Sequence, residues 1–516
     1  MSKVAKAAAG LMAATLLAKV LGFGRELTLA SAYGASGTSD AFLVAMNIPA
    51  VIFTAIGTSL GTAFIPLYCD VHSKKGQDSS IKFTNNVFNI IALICIGFSI
   101  IGAIFTPQIV KLFAVGFEGE TFKQAIYFTR IIMLGMAFLG MNYIMTAYLQ
   151  VKENFTIPGL MPIPNNICII AAIIISAKVG NPYLLPLGAL IGIASQFFFQ
   201  LPFAMKKGYK YSPYINVKDE HLKKMLWLVG PVLIGVAVNQ VSTMVDRTIA
   251  STLVEGSISA LNYANKLNQF VMGMFIVSIS AVIYPMLSKL SSENNKEKFN
   301  ESISTAANTV ILLVIPISVG AIILANPIVK LLFERGEFDA RATQMTAVAL
   351  VFYSIGMIGF GLRDILGKVF YALQDTKTPM INGMIAMSLN IVLNICFVKF
   401  TNMQLAGLAL ATSTSAIVTI ILLFISLRKK IGPFGGKTIG LVMIKSILSA
   451  MLMAVVTLFA YNNIANILGT GFIQEVITLA VSVGLGAIVY GGSIIVLKVK
   501  EVNLILDTVK KKLKRK

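Results

Sequence analysis

Long apolar stretches separated by short polar breaks dominate the pattern of this chain. Runs of about 20–25 residues, long enough to cross a bilayer as helices, recur fourteen times, over 6–30, 38–68, 81–105, 122–149, 158–177, 182–204, 223–253, 258–290, 300–324, 343–371, 379–398, 404–428, 438–462 and 472–498. Several exceed what a straight crossing needs, which predicts tilt or bending, and Pro49 marks one bend in the second run. The longest polar break lies around 205–222, too short for a soluble domain. The pattern predicts an all-α polytopic membrane protein with about fourteen transmembrane helices.

The polar breaks also set direction, because Lys and Arg concentrate in cytoplasmic loops. With both termini inside, 28 of the 43 basic residues are cytoplasmic and seven face outside: Lys111, Lys123, Lys178, Lys330, Arg335, Arg341 and Lys399. The N-terminus begins like a signal peptide, but its apolar run holds Lys19 and continues to Arg25 without a convincing cleavage site, so it is expected to remain as the first helix.

Composition narrows the class. Only 13% of residues are charged, 56% are hydrophobic and the mean hydropathy is +0.81. A soluble domain carries about twice that charged share, so a water-soluble globular protein is excluded. The net charge of +21 raises a nucleic-acid reading, but the basic residues sit where they orient helices. The tail Lys510-Lys511-Lys512-Leu513-Lys514-Arg515-Lys516 reads as an anchor to anionic headgroups. Membrane lipids are therefore expected partners and nucleic acid is not. Cys69, Cys95, Cys168 and Cys396 show no paired spacing, and His72 and His221 sit in polar loops. Neither a disulfide framework, a metal knuckle nor histidine catalysis is indicated.

The chain repeats at about 220 residues. Thr28-Leu29-Ala30-Ser31 returns as Thr248-Ile249-Ala250-Ser251, Pro66 as Pro285, and Thr156-Ile157-Pro158 as Thr378-Pro379. Six helices per copy keep both copies in one orientation. That predicts two pseudo-symmetric six-helix lobes, 1–210 and 211–430, related by an axis along the membrane normal. The runs within 431–500 lie outside the repeat, and 501–516 forms the basic tail.

Eight basic residues fall within the spans: Lys19, Arg25, Arg130, Arg247, Lys266, Arg363, Lys368 and Lys445. They are accompanied by Glu26, Asp40, Asp246 and Asp364. Each charge costs about 2.5–3.5 kcal/mol at a lipid-facing helix centre, so together they must line a wet cavity or pair. Asp364 and Lys368, four apart, are expected to pair. Lys445 is expected to snorkel to the cytoplasmic surface, and Arg130 reaches the outer interface. Asp40 is positioned to balance Arg25. Lys19, Arg25 and Lys266 are left as cavity cations, with Asp40, Glu26, Arg247 and Arg363 in support. Gly22 and Gly24 let backbone approach a ligand beside them. Basic residues outnumber acidic ones inside the membrane, which suits an anionic substrate, above all a phosphate.

At these residues the sequence resembles a known family. AKVLGFGRE, TSDAFLVAMNIP, AFIPLY and FYALQDTKTP look like the signature stretches of the MurJ/MviN lipid II flippases of the MOP exporter superfamily, along the whole chain. The resemblance implies two lobes around a central cavity, alternating access, a bacterial cytoplasmic (inner) membrane, and action as a monomer. It implies transport of the undecaprenyl-diphosphate-linked peptidoglycan precursor from the cytoplasmic to the outer leaflet. The last two helices are implied to form a groove for the lipid tail. The family's cavity arginines fall on Lys19, Arg25 and Lys266; two of them are Lys here, which keeps the charge but loses the bidentate fork. Another family arginine falls at Phe53.

No nucleophile–base constellation and no nucleotide-binding motif is present, so a transporter without a covalent step is expected, with membrane potential as a source of drive. A lipid-linked-sugar glycosyltransferase would need a sizeable extramembrane loop. A cation-coupled multidrug exporter would need an acidic cavity. A flippase for another polyprenyl-linked glycan stays open on the residues alone. No organic cofactor is expected; Na⁺ is the one candidate ion. Asp246, with Asn390 and Asn394 four apart on helix eleven and Thr412 on helix twelve, offers one carboxylate and several neutral oxygens to it.

Overall fold

The structure, a computed structural model, describes residues 3–293, 295–469, 471–499 and 501; the tail from Lys510 to Lys516 lies outside them. Among the described residues every regular element is helical. Eight helices among the described residues are long and apolar enough to cross a membrane, or ten when each of two bent pairs counts as one span. By length and composition the described residues thus hold eight to ten candidate spans where the sequence pattern counts fourteen runs. The runs 6–30, 223–253 and 258–290 fall in long helices outside that set, and only the end of 38–68 falls within it, in the span that begins at Ser59.

The described chain packs into two compact units. One runs to Ser259 and takes in Arg335–Asp339; the other comprises Ala260–Glu334 and Ala340 onward. The first unit holds α1 (Lys3–Tyr33), α2 (Gly37–Ile104), α3 (Thr106–Phe113), α4 (Gly119–Leu134), α5 (Met136–Val151), α6 (Thr156–Leu160), α7 (Pro162–Val179), α8 (Leu185–Lys206) and α9 (Glu220–Ala250). The break expected between the second and third runs is instead a bend inside α2 at Gly76, whose φ of 78° favours glycine. The repeat assigns α9 to the second half of the chain, yet here it packs along α2 within the first unit.

The connection after α8 is held by amides. Asn85 donates to the Lys210 carbonyl (2.8 Å), Asn86 to that of Asn216 (2.9 Å), and Asn89 to those of Ser212 and Tyr214 (3.0 Å each). Asn89 follows Asn85 by four and Asn86 by three residues on α2, so it shares a face with each. They satisfy backbone groups that the segment, lacking regular structure, cannot pair itself.

The second unit holds most of α10 (Ser257–Ser292), then α11 (Lys296–Ile323), α12 (Ala325–Phe333), α13 (Ala340–Ile355), α14 (Met357–Ala372), α15 (Lys377–Phe400), α16 (Gln404–Ile431), α17 (Gly436–Leu468) and α18 (Phe472–Val496). Its core interdigitates Val310 and Ile311 with Leu362, Ile365, Val369, Leu423 and Leu427. The last two helices pack on each other and α17 packs on α11. Their outer faces show Phe459, Ile467, Ile488 and Val496 at 72–81% exposure, as lipid contact requires. The Lys445 ammonium reaches past the end of α18 and donates to the Leu497 carbonyl at 2.7 Å, one of the carbonyls that a helix C-terminus leaves without an intrahelical partner.

The repeat of about 220 residues recurs in backbone detail within each unit. The α4–α5 pair bends by 41° and the α13–α14 pair by 44°. The short helices α3 and α12 occupy matching places. Glu153 (φ 58°) and Gln374 (φ 57°), both non-glycine residues in the left-handed region, end α5 and α14 alike.

Candidate functional site

The intramembrane charges begin on α1. Lys19 is exposed there, and Arg25 is half-buried. The two stand about 120° apart around the helix, so they do not share one face. Arg25 is already engaged: its Nη2 lies 2.6 Å from Glu26 Oε1, and its Nη1 donates to Asn166 Oδ1 at 3.2 Å. Glu26 is 1% exposed, so Arg25 compensates a carboxylate that could not stand alone in a dry interior. A guanidinium keeps further N–H groups for a second anion. A Cβ built on Gly24 would meet nothing within 4 Å, so space lies open beside the pair.

Asp40 corrects the expectation that it balances Arg25. Its carboxylate accepts from Gly256 N (2.8 Å), Ser259 N (2.7 Å) and Ser259 Oγ (2.6 Å). It therefore caps the N-terminus of α10, where unsatisfied N–H groups and the helix dipole favour a negative charge. Glu255 returns the arrangement by accepting from Gly37 N at the start of α2. The backbones here run so close that a Cβ on Gly256 would stand 2.2 Å from the Ala35 carbonyl oxygen. In the same unit a Cβ on Gly34 would stand 2.3 Å from the Glu337 carbonyl oxygen.

Asp246 and Arg247 are half-buried in the last turns of α9. The end of that helix is clasped by the last turn of α3 and the segment after it: Thr248 Oγ1 donates to the Leu112 carbonyl (3.1 Å), and Gly116 N donates to Ser251 Oγ (3.1 Å).

Lys266 is half-buried on α10, in the second unit. Lys19 and Arg25 belong to the first. Arg363 is exposed on α14 and lies over the Phe360 ring, 5.4 Å from its centroid. The expected Asp364–Lys368 pair does not form; the Asp364 carboxylate takes the Ser280 hydroxyl instead. A hydroxyl on a packed neighbour satisfies the oxygen without immobilising a long lysine.

Asn390 and Asn394 share a face of α15 and meet Thr412 of α16. Asn394 donates to Asn390 Oδ1 (3.2 Å), Asn390 donates toward Thr412 Oγ1 (3.5 Å), and Thr412 donates to the Leu408 carbonyl (3.0 Å). Both asparagines are buried. The second unit thus gathers neutral hard oxygens, the type a hard cation accepts; Asp246 belongs to the first unit. Among the described residues no group of three His, Cys, Asp or Glu side chains could hold a metal ion.

Sequence reasoning missed Asn166, the second partner of Arg25, although an amide within so apolar a run was its signal. It also missed Asp375, within the FYALQDTKTP stretch. Asp375 accepts from Thr378 N (3.0 Å) at the start of α15 and lies 2.5 Å from Lys430 Nζ.

The family model for the lipid II flippase MurJ matches residues 29–479. The chain belongs to that family. A probable lipid II flippase MurJ of Vibrio cholerae is 30% identical over 501 residues, which covers 95% of each chain. A solved lipid II flippase MurJ, described in an inward closed conformation, superposes with a TM-score of 0.80 at 29% identity and covers 94% of this chain and 99% of its own. An inward-facing multidrug resistance MATE transporter of the MOP superfamily shares the fold at 15% identity, with a TM-score of 0.69 over 81% of this chain and 94% of its own. Membership in the MurJ family gives the engaged arginine on α1 and the hard-oxygen cluster on α15 and α16 a transporter as their setting.

Proposed function

We propose that this chain is a flippase for lipid II, the undecaprenyl-diphosphate-linked peptidoglycan precursor, and moves it from the inner to the outer leaflet of the bacterial cytoplasmic membrane by alternating access. The observation that carries the reading is family membership along nearly the whole length, over residues 29–479. The protein is a transporter and not an enzyme, multi-pass, with both termini cytoplasmic and working as a monomer. The six-helix lobes are 1–210 and 211–430, and 431–500 provides the groove for the polyprenyl tail.

Lys19, Arg25 and Lys266 bind the diphosphate. Three cations within the apolar runs of α1 and α10, where a charge at a lipid-facing helix centre would cost about 2.5–3.5 kcal/mol, support that role, as does the open space beside Gly24. Arg25, already turned toward Asn166 and Glu26, offers its remaining N–H groups in a held orientation, which lowers the entropy cost of gripping a phosphate. Asp246, Asn390, Asn394 and Thr412 are the ligands for Na⁺, which when bound would supply a positive charge that biases the conformational equilibrium.

The test is lipid II flipping in cells or proteoliposomes. The variant carrying Lys19→Ala, Arg25→Ala and Lys266→Ala is expected to reach the membrane folded and to lose flipping, while Lys19→Arg and Lys266→Arg keep it. Normal flipping by the triple variant would remove these residues from the site. Transport of a different polyprenyl-diphosphate glycan in place of lipid II would reassign the substrate.

A further inference from the structure

The turn between α16 and α17 shapes a second site. Gly432 (φ 81°) and Gly435 (φ 90°) fold this turn so that Phe434, 5% exposed, plugs into the core. There it stacks on Phe424 with centroids 5.9 Å apart and planes at 3°. Beside this pair opens a cleft of about 780 Å³, walled by Phe424, Ile425, Phe434 and Ile439, with Arg428 and Lys437 on its lining. Arg428 follows Phe424 and Ile425 by four and three residues, so the cation and the apolar wall share one face of α16. Both cations are exposed. Lys430, two residues on, is engaged by Asp375; among the described residues neither Arg428 nor Lys437 has a carboxylate within 4 Å. The floor is kept open by glycine: a Cβ built on Gly436 or Gly440 would meet nothing within 4 Å. No side chain caps the first turn of α17, which adds a partial positive charge to the same end.

We propose that this cleft binds a resident anionic phospholipid, with its phosphodiester on Arg428 and Lys437 and an acyl chain against the aromatic and aliphatic wall. The charge is complementary to a phosphate, the wall to a hydrocarbon chain, and the turn lies at the end of two apolar spans where headgroups reside. A free phosphate would use the two cations and leave the wall idle. The site is separate from the cations on α1 and α10 and holds whichever glycan is transported.

Purified full-length protein in detergent would be supplied with phosphatidylglycerol or phosphatidylcholine of matched chains. Retained lipid would be counted by native mass spectrometry and thermal stability followed alongside. Wild type is expected to retain phosphatidylglycerol in preference. Arg428→Gln with Lys437→Gln should weaken it by about 25-fold, at about fivefold for each cation. Gly440→Leu should fill the cleft and abolish retention without lowering lipid-free stability, since leucine is the better helix former and meets no neighbour. Equal retention of both lipids by wild type, or unchanged retention in Gly440→Leu, would overturn the proposal. Equal stabilisation by glycerol phosphate would overturn the lipid part of it. Displacement of phosphatidylglycerol by lipid II at equal concentration would give the cleft to the substrate and overturn it as well.

Discussion

At the scale of single residues, a low-polarity interior makes a buried charge take a partner. Arg25 and Glu26 are neighbours in sequence and pair directly, and Asn166 steadies the guanidinium from α7. Asp40 spends its charge on three donors at the start of α10. Losing it strands buried N–H groups at a helix end, which costs about 2 kcal/mol. Asp40→Ala should therefore lower the thermal midpoint of the purified protein clearly, whereas Asp40→Asn, which keeps one carbonyl oxygen, should fall between. A midpoint equal to wild type in Asp40→Ala would show that water replaces the carboxylate.

At the scale of elements, helix ends are where polar chemistry is spent. Arg130 donates to the Ala103 carbonyl near the end of α2 (3.2 Å), and Lys445 does the same past the end of α18. Asp375 joins the start of α15 to the last turn of α16 through Thr378 and Lys430. The Lys430 hydrogen bond, with help from the Thr378 amide, lowers its carboxyl to about 2. That lies below the ordinary carboxylate value of about 3.9, so the contact contributes fully above about pH 4 and is lost as pH falls toward about 2. Thermal unfolding of wild type should decline across that window more steeply than that of Asp375→Asn. Parallel curves would mean that the carboxylate is not coupled to folding. The Asn85, Asn86 and Asn89 ladder follows the same logic: their 3- and 4-residue spacing is plain in NNVFN, but the loop backbone they hold lies more than 120 residues away.

At the scale of the whole molecule, the proposed Na⁺ would act by biasing one conformation over another. The mutually bonded Asn390, Asn394 and Thr412 present neutral oxygens in the second unit, and the proposed Na⁺ site takes its carboxylate from Asp246. Na⁺ added to purified protein should raise its thermal midpoint in proportion to occupancy. K⁺ should do so less, and Asp246→Asn should lose the response. Equal stabilisation by K⁺, or an unchanged response in the variant, would remove the site.

The chain by itself determined the class of protein. Apolar runs of bilayer length leave helices as the only economical way to satisfy backbone groups in lipid, and the repeat of about 220 residues reappears as the paired bends after Leu134 and Ile355. The signature stretches around Arg25, Asp40 and Asp375 carried the family. Tertiary structure decided the partners. Arg25 meets Asn166 across 141 positions, Asp40 meets Gly256 across 216, and Ser280 meets Asp364 across 84. Helical periodicity reports only which residues share a face a turn or two apart. Which far residue faces a buried charge depends on how helices pack, and that is why Asp40 was matched to the wrong partner and Asp364 to the near lysine.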